Sequence, residues 1–221
     1  MFPISDTRHS GKFPLVTFIL IITNLYIFFL ELLSFDLESF IARFSLIPAN
    51  VDITKPETLT PFITSMFLHA GFLHIGSNMW FLWIFGDNVE AAIGHLKYFF
   101  FYIFSGIAAM FIQYIFIADS SLPMLGASGA IAGILGAYLR FFPANRINTI
   151  IPIFGLPAII AIPASFTLIY WFVIQAFNGV ATIFIATASI GGVAYLAHAG
   201  GFVFGFILSK SFASQKKYYN G

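Results

Sequence analysis

The chain has 221 residues, of which 59% are hydrophobic, 19% aromatic and only 9% charged. A soluble domain usually has about a quarter of its residues charged, so this composition predicts a protein surrounded by lipid. The net charge of +1 argues against nucleic acid as a partner, and the sequence has no cysteine for disulfide or thiolate chemistry. We expect a single membrane domain over residues 1–221.

Six apolar runs are candidate membrane spans, because about 20 apolar residues cross the ~30 Å hydrocarbon core of a bilayer. They cover residues 13–33, 68–86, 98–118, 126–142, 158–177 and 190–209. The first is longer than the apolar part of a signal peptide and no small-residue cleavage site follows it, so we expect it to be retained. The fourth is short and lies between Pro123 and Pro143, and Pro152, Pro157 and Pro163 stand near the start of the fifth.

The long connection between the first two spans, at about 34–67, contains a helix signal of its own. Leu37, Phe40, Ile41 and Phe44 recur at i, i+3, i+4 and i+7, and the charged side chains lie off that stripe. This pattern predicts a short amphipathic helix that lies in the membrane interface and ends near Pro48.

The positive charges predict the orientation of the chain. With six spans, only Arg43 and Lys55 fall on one side of the membrane. The other side holds Arg8, Lys12, Lys97, Arg140, Arg146, Lys210, Lys216 and Lys217. By the positive-inside rule both termini are cytoplasmic. We therefore expect a multi-pass protein of the cell membrane, with a prokaryotic plasma membrane as the expected location.

Strongly polar residues inside spans are costly, and they indicate a functional site. Here they are His69, His74, Asn78, Gln113, Ser128, Gln175 and His198. Ser128 lies twelve residues before Arg140 (140 − 128), and His198 lies twelve before Lys210 (210 − 198). At ~1.5 Å per residue both lie ~18 Å from the cytoplasmic boundary, so the sequence predicts that they share one depth.

Glycines supply a way to bring these two side chains together. Span four has Gly129, Gly133 and Gly136 on neighbouring turns, and span six has Gly201 and Gly205 one and two turns after His198. Glycine faces let two helices approach closely in lipid. Such spacing by itself more often serves helix packing alone, and that alternative stays open.

A serine and a histidine are the minimum for nucleophilic acyl transfer, since the imidazole accepts the hydroxyl proton and later protonates the leaving amine. No aspartate or glutamate lies at the depth of these two residues, because the carboxylates of the apolar runs map to span ends. The pattern therefore predicts a dyad of Ser128 and His198 without a buried acid. The carboxylates in question are Glu31, Asp87, Glu90 and Asp119.

Two further polar residues share one face of span two. His74 and Asn78 are four residues apart and, with the backbone N–H of Ser128, would form an oxyanion hole. The alternative is a polar pair that only links helices. His69 lies off that face, and we expect it to order the long loop or the water entry. Gln113 and Gln175 are interpreted as packing or water contacts.

Three motifs in order resemble the signatures of the rhomboid intramembrane serine proteases over nearly the whole chain. They are His69-x4-His74-x3-Asn78, then Gly126-Ala127-Ser128-Gly129, then Ala197-His198-x2-Gly201-x3-Gly205. The resemblance implies an all-α polytopic membrane protein, a six-transmembrane-helix rhomboid-like bundle. It implies an intramembrane serine endopeptidase with Ser128 as nucleophile and His198 as general base. His74, Asn78 and the Ser128 backbone would stabilise the oxyanion.

The same resemblance implies transmembrane segments of other membrane proteins as substrates, the lipid bilayer as surroundings, and neither a cofactor nor a metal. Two departures from relatives stand out. Residues 59–61 take the place of a Trp-Arg pair, and Ala132 takes the place of a tyrosine that stacks on the histidine in some relatives. The sequence therefore names no group that orients His198.

Access to the site is predicted on two routes. Water would enter from the outer side, and a substrate helix would enter beside span five, whose bulky residues suggest a gate: Phe166, Tyr170, Trp171 and Phe172. The apolar loop at 178–189 is predicted to cap the cavity. Two rival functions are a small transporter or channel, and a catalytically inactive relative that binds membrane proteins. The first usually shows repeats and polar residues across the full thickness, and the second would lack the serine or the histidine.

Overall fold

The computed structural model describes residues 2–7, 11–153, 156–184 and 193–212. The described helices are α1 (Leu15–Leu33), α2 (Leu37–Phe44), α3 (Pro61–Thr64), α4 (Phe72–Ile93), α5 (His95–Phe116), α6 (Ser128–Phe141), α7 (Ala164–Phe184) and α8 (Tyr195–Leu208). The strands are β1 (Phe2–Asp6), β2 (Arg146–Ile153) and β3 (Leu156–Pro163). Arg8, Lys216 and Lys217, used above for the orientation, lie outside the described residues, as do residues 185–189 of the predicted capping loop.

Helices long and apolar enough to cross a membrane make this a polytopic membrane protein. Within the described ranges they are α1, α5 and residues Ala164–Ile183 of α7. The helix α6 is apolar but shorter, with 14 residues, and α8 has the same length. The helix α4 has 22 residues and carries several polar ones. These three helices coincide with predicted spans four, six and two, and the count of six spans stays a prediction.

The helix α6 lies at the centre of the bundle, and every residue from Gly129 to Tyr138 is buried. It packs against α4, α5 and α8. Its glycines permit this: a Cβ on Gly136 would collide with the backbone of Phe202, and one on Gly205 would collide with the backbone of Gly133. The backbones of α6 and α8 are therefore in direct contact.

The prediction of an all-α fold is wrong in one region, where the chain forms an antiparallel sheet in the order β1-β2-β3. Strands β2 and β3 are rich in isoleucine, whose branched side chain favours strands, and Pro152 lies opposite Pro157 in the hairpin. Proline is costly inside a helix, so the predicted fifth span cannot start at residue 158 and the helix begins at Ala164, directly after Pro163.

Other boundaries also differ from the sequence predictions. Helix α7 continues to Phe184, so the first part of the loop predicted at 178–189 is helical. Helix α4 extends about two turns beyond the predicted end of span two, through Asp87, Asn88 and Glu90. The amphipathic helix α2 occurs where the stripe predicts it and has no buried residue. Its N-cap is Asp36, and the hydroxyl and backbone N–H of Ser39 hold the pKa of this exposed carboxyl below its usual value.

A carboxylate ties each end of α1 to another part of the chain, Glu90 of α4 at its start and Glu31 of α1 itself near its end. Glu90 of α4, only 1% exposed, accepts hydrogen bonds from the backbone N–H groups of Val16 and Thr17 at 2.7 and 2.8 Å. These N–H groups have no partner within the helix, and a negative charge at a helix N-terminus is favourable. At the other end Glu31 accepts a hydrogen bond from the backbone N–H of His69, at 3.1 Å. Glu90 therefore anchors α1 in this chain.

Candidate active site

Ser128 is the first residue of α6, and His198 lies in the first turn of α8. The Nε2 atom of His198 lies 2.7 Å from the Oγ atom of Ser128. Both side chains are half-buried, so they are neither sealed in the core nor fully exposed. The structure thus brings together the two residues that the sequence places at one depth.

Of the glycines selected from the sequence, Gly136, Gly201 and Gly205 lie in the contact between α6 and α8, and Gly129 and Gly133 also face α5. A Cβ on Gly201 would collide with the carbonyl oxygen of Gly129 and would lie 3.2 Å from the Cβ of Ala109 on α5. Because Gly201 is one turn after His198, any separation of the two helices here would move the imidazole away from Ser128.

The imidazole of His198 has two further neighbours, both on α7. Its Nδ1 atom lies 2.8 Å from the Oε1 atom of Gln175, and the ring of Trp171 stacks on it at 5.9 Å between centroids. An amide oxygen only accepts hydrogen bonds, so Nδ1 carries the proton and Nε2 turns its lone pair towards the Ser128 hydroxyl. In the sequence no group was assigned to orient His198, because Ala132 stands in the place of the stacking tyrosine. In the structure Trp171 stacks on the ring from another helix.

His74 and Asn78 lie on α4 beside the turn that precedes Ser128. The backbone N–H of Ala70 donates to the Nδ1 atom of His74 at 3.3 Å, so its Nε2 atom carries the proton. The amide nitrogen of Asn78 is buried and has no hydrogen-bond partner among the described residues. Two N–H donors of α4 therefore stand close to the start of α6.

Gly126 leaves the space for these donors. Its φ of +120° is one that side chains rarely adopt, and a Cβ there would lie 2.7 Å from the Nε2 atom of His74 and 3.8 Å from the Nδ2 atom of Asn78. Its backbone N–H donates to the carbonyl oxygen of Ser65 at 2.9 Å, which ties this turn to the long connection.

His69 is 2% exposed, and its ring lies edge-on to the ring of His74, with 5.1 Å between centroids. Its backbone N–H is bound by Glu31, as described above. The residue therefore sits between the end of α1 and His74, and neither of its ring nitrogens has a hydrogen-bond partner among the described residues.

Gln113 and Gln175 contact α8 more closely than the sequence suggested. The Oε1 atom of Gln113 accepts a hydrogen bond from the backbone N–H of Ala197 at 3.0 Å, one residue before His198. Gln175 binds the imidazole itself. The sequence contains a signal for such a role, because each glutamine is the single amide of its apolar span and Gln175 follows Trp171 by one turn.

No group of three or more histidine, cysteine, aspartate or glutamate residues suited to a metal ion occurs in the part of the chain that the structure describes. Among the described residues, the side-chain hydrogen bonds of Ser128 and His198 are made with uncharged side chains. The arrangement is suited to proton transfer between a hydroxyl and an imidazole.

A family model of the Rhomboid domain matches residues 56–215, which include all of the site residues just described except Glu31. The match covers well over half of the 221 residues, so the chain belongs to the rhomboid family. The resemblance noted in the sequence is confirmed.

Several curated proteins are similar to part of this chain. Rhomboid protein 1, mitochondrial, of Saccharomyces cerevisiae is 32% identical over 70% of this chain and 43% of its own length. Presenilin-associated rhomboid-like protein, mitochondrial, of Bos taurus is 28% identical over 69% of this chain and 41% of its own. Rhomboid protease GluP of Bacillus subtilis is 33% identical over 48% of this chain and 24% of its own. The chain thus spans less than half the length of these curated relatives.

The names bear on location as well as on family. Two of these three relatives are named as mitochondrial, which weighs against the expectation of a prokaryotic plasma membrane, and the third is from a bacterium, which agrees with it. The location in a membrane is supported by the apolar helices and by the family.

Proposed function

We propose that this protein is an intramembrane serine endopeptidase that cleaves transmembrane segments of other membrane proteins with a dyad of Ser128 and His198. The observation that carries the proposal is the 2.7 Å hydrogen bond between the Oγ atom of Ser128 and the Nε2 atom of His198. A hydroxyl is a weak nucleophile until a base accepts its proton, and this geometry provides the base. The name of the relative GluP, a rhomboid protease, agrees with the proposal.

In the proposed reaction Oγ of Ser128 attacks the carbonyl carbon of the scissile peptide bond, and its proton passes to Nε2 of His198. The C–N bond then breaks, and the same proton goes to the leaving amine. A water molecule attacks the resulting ester, gives a proton to Nε2, and releases the new carboxyl end as Oγ takes the proton back. Both side chains are half-buried, which leaves them within reach of water and substrate.

The negative charge on the carbonyl oxygen needs donors that are already in position. We assign this role to the Nε2–H of His74, the Nδ2–H of Asn78 and the backbone N–H of Ser128. The amide of Asn78 supports this, since it is a buried donor without a partner among the described residues, and such a group normally costs stability. The ring of His69 packs edge-on against the ring of His74 and so supports its position.

The proposal includes the membrane arrangement: six spans, both termini in the cytoplasm, and a substrate helix that arrives from the lipid. The lysines and arginines support this orientation.

The test is active-site labelling combined with cleavage. The protein, purified in detergent micelles and reconstituted in liposomes, is treated with a fluorophosphonate and separately with a labelled transmembrane substrate. We expect labelling and cleavage with the wild type and neither with Ser128→Ala, because among the described residues the hydroxyl bound to Nε2 of His198 is that of Ser128. Ser121→Ala is the matched control, since Ser121 is exposed in the connection before α6 and should keep both signals. Equal labelling of Ser128→Ala and wild type would refute the proposal.

A further inference from the structure

Helix α7 holds the imidazole of His198 at two points. Gln175 accepts a hydrogen bond from its Nδ1 atom at 2.8 Å, and the ring of Trp171 stacks on its face with an angle of 28° between the planes. The two residues are four apart, so they lie one above the other on the same face of α7. Gln175 is buried, with 8% of its surface exposed.

The hydrogen bond to Gln175 selects one of the two neutral forms of the imidazole. A neutral histidine carries its proton on either Nδ1 or Nε2, and only the first form can accept a proton at Nε2 from the hydroxyl of Ser128. The carbonyl oxygen of an amide cannot donate, so it stabilises the Nδ1–H form. Without that acceptor the ring would be free to turn or to populate the other form.

We propose that Gln175 is a positioning residue that fixes the tautomer and the orientation of His198, so that α7 completes the Ser128–His198 pair as a three-part hydrogen-bonded chain. The proposal rests on the function proposed above. Gln175 takes the place that a buried carboxylate has in a serine–histidine–aspartate triad, and asparagine takes the same place in some cysteine proteases.

An amide suits this position better than a carboxylate would. A charged side chain at membrane depth is expensive, whereas an amide satisfies Nδ1–H without a charge. When Nε2 takes the proton of Ser128 the ring becomes positive, and its hydrogen bond to Oε1 of Gln175 becomes charge-assisted and stronger. The stabilisation therefore increases at the moment when the nucleophile forms.

A simpler explanation is that Gln175 only packs α7 against α8. The chain offers a control for it, because Gln113 is a second buried glutamine, also 8% exposed, that binds α8 next to the same histidine. Gln113 binds the backbone N–H of Ala197 and no ring atom. Loss of Gln113 should affect the helix, and loss of Gln175 should affect the imidazole.

The test compares three variants of the full chain in detergent micelles. Gln175→Met keeps the length of the side chain and removes the acceptor, Gln175→Glu keeps an acceptor oxygen in either protonation state, and Gln113→Met is the control. Imidazole ¹⁵N NMR reads the tautomer directly, and the signals of His198 are assigned by their loss in His198→Ala. A peptide-cleavage assay gives kcat and KM separately.

We expect the wild type to have protonated Nδ1 at His198, and Gln175→Met to show a mixture of tautomers. Its kcat should fall about tenfold with KM unchanged, the effect of one lost neutral hydrogen bond on the base. Gln175→Glu should restore the wild-type tautomer and most of kcat, and Gln113→Met should leave the tautomer unchanged.

The proposal would be overturned if Gln175→Met had the same tautomer as the wild type. It would also be overturned if Gln175→Met and Gln113→Met lost kcat equally and gave identical spectra. The spectrum needs no substrate and no turnover. If Gln175→Met changes the spectrum although the wild type cleaves no substrate, the positioning of His198 by Gln175 stands and the proposed proteolysis fails.

Discussion

Helices α6 and α7 both approach His198, but they are held in the molecule in different ways. Every residue of α6 from Gly129 to Tyr138 is buried, and its backbone touches that of α8. Helix α7 has an exposed apolar surface, with Phe177 73% exposed, and reaches α8 through the rings of Trp171 and Phe172. One helix is fixed by backbone contact and the other by side chains.

This difference separates two tasks in the site. The contact between α6 and α8 fixes the distance from Ser128 to His198, because backbones in contact leave little freedom. The contact between α7 and α8 fixes how the imidazole is turned, because side chains of α7 meet its edge and its face. A change in the first contact should remove activity and stability together, whereas loss of the α7 side chains that touch the imidazole should act mainly on catalysis.

The largest combined loss of stability and activity is expected from Gly201→Ala. The new Cβ would collide with the carbonyl oxygen of Gly129, so α8 must shift away from α6. We expect unfolding in micelles to become easier by ~1–3 kcal/mol, as for other overpacked sites. A displacement of His198 by about 1 Å should reduce cleavage about a hundredfold.

Gly76→Ala is the control for this substitution. Gly76 lies in α4, and a Cβ there would meet no atom within 4 Å. Alanine is a better helix former than glycine, so this variant should be at least as stable as the wild type and fully active. If Gly201→Ala were equally harmless, the backbone contact would not be what holds Ser128 near His198.

A second prediction concerns Asn78 on α4, which packs on another side of α6, and it separates an effect on catalysis from an effect on stability. The amide nitrogen of Asn78 has no partner among the described residues, so Asn78→Ala should leave stability nearly unchanged. Loss of one oxyanion donor should nevertheless lower kcat by about 10²–10³. Thermal unfolding and steady-state cleavage measure the two quantities.

Asn88 provides the comparison for Asn78, because it is a buried asparagine on the same helix. Its Nδ2 atom donates to the carboxylate of Asp6, and so Asn88→Ala leaves a buried acceptor without this donor. We expect a loss of ~1–3 kcal/mol in stability. A stable Asn78→Ala variant with normal kcat would remove Asn78 from the proposed oxyanion hole.

The same contrast explains what could be predicted from the sequence. The meeting of Ser128 and His198 follows from residue counts to the nearest charges and from glycine spacing, since helix geometry converts both into positions. Gln175 could not be assigned in this way. Its contact with His198 depends on how α7 is rotated about its axis, and a helix that is apolar on all sides gives no periodic signal for that rotation.

The sheet was missed for a related reason. Residues 156–163 are apolar enough to be taken for the start of a span, and short apolar runs do not distinguish helix from strand by periodicity. The useful signals were Pro152, Pro157 and Pro163 together with the many isoleucines. The pairing of β1 with β2, between residues more than 130 positions apart, has no local signal at all.

The smallest expected effect concerns the proposed gate, and it corrects the choice of residues that the sequence suggested. Trp171 and Phe172 both pack on Phe202, with centroids 6.1 and 5.0 Å apart, but only Trp171 also stacks on His198. A joint substitution would therefore loosen α7 and disturb the imidazole at the same time. Phe172→Ala loosens α7 alone.

We expect Phe172→Ala to cleave a transmembrane substrate about two- to tenfold faster, because a lost aromatic pair of ~0.5–1.5 kcal/mol favours the open position of α7. Trp171→Ala should lower kcat even for a short soluble peptide, which needs no gate, because His198 loses the ring that stacks on it. Cleavage of both substrates by both variants measures the two effects. If the two variants changed both rates equally, the separation between fixing α7 and orienting His198 would not exist.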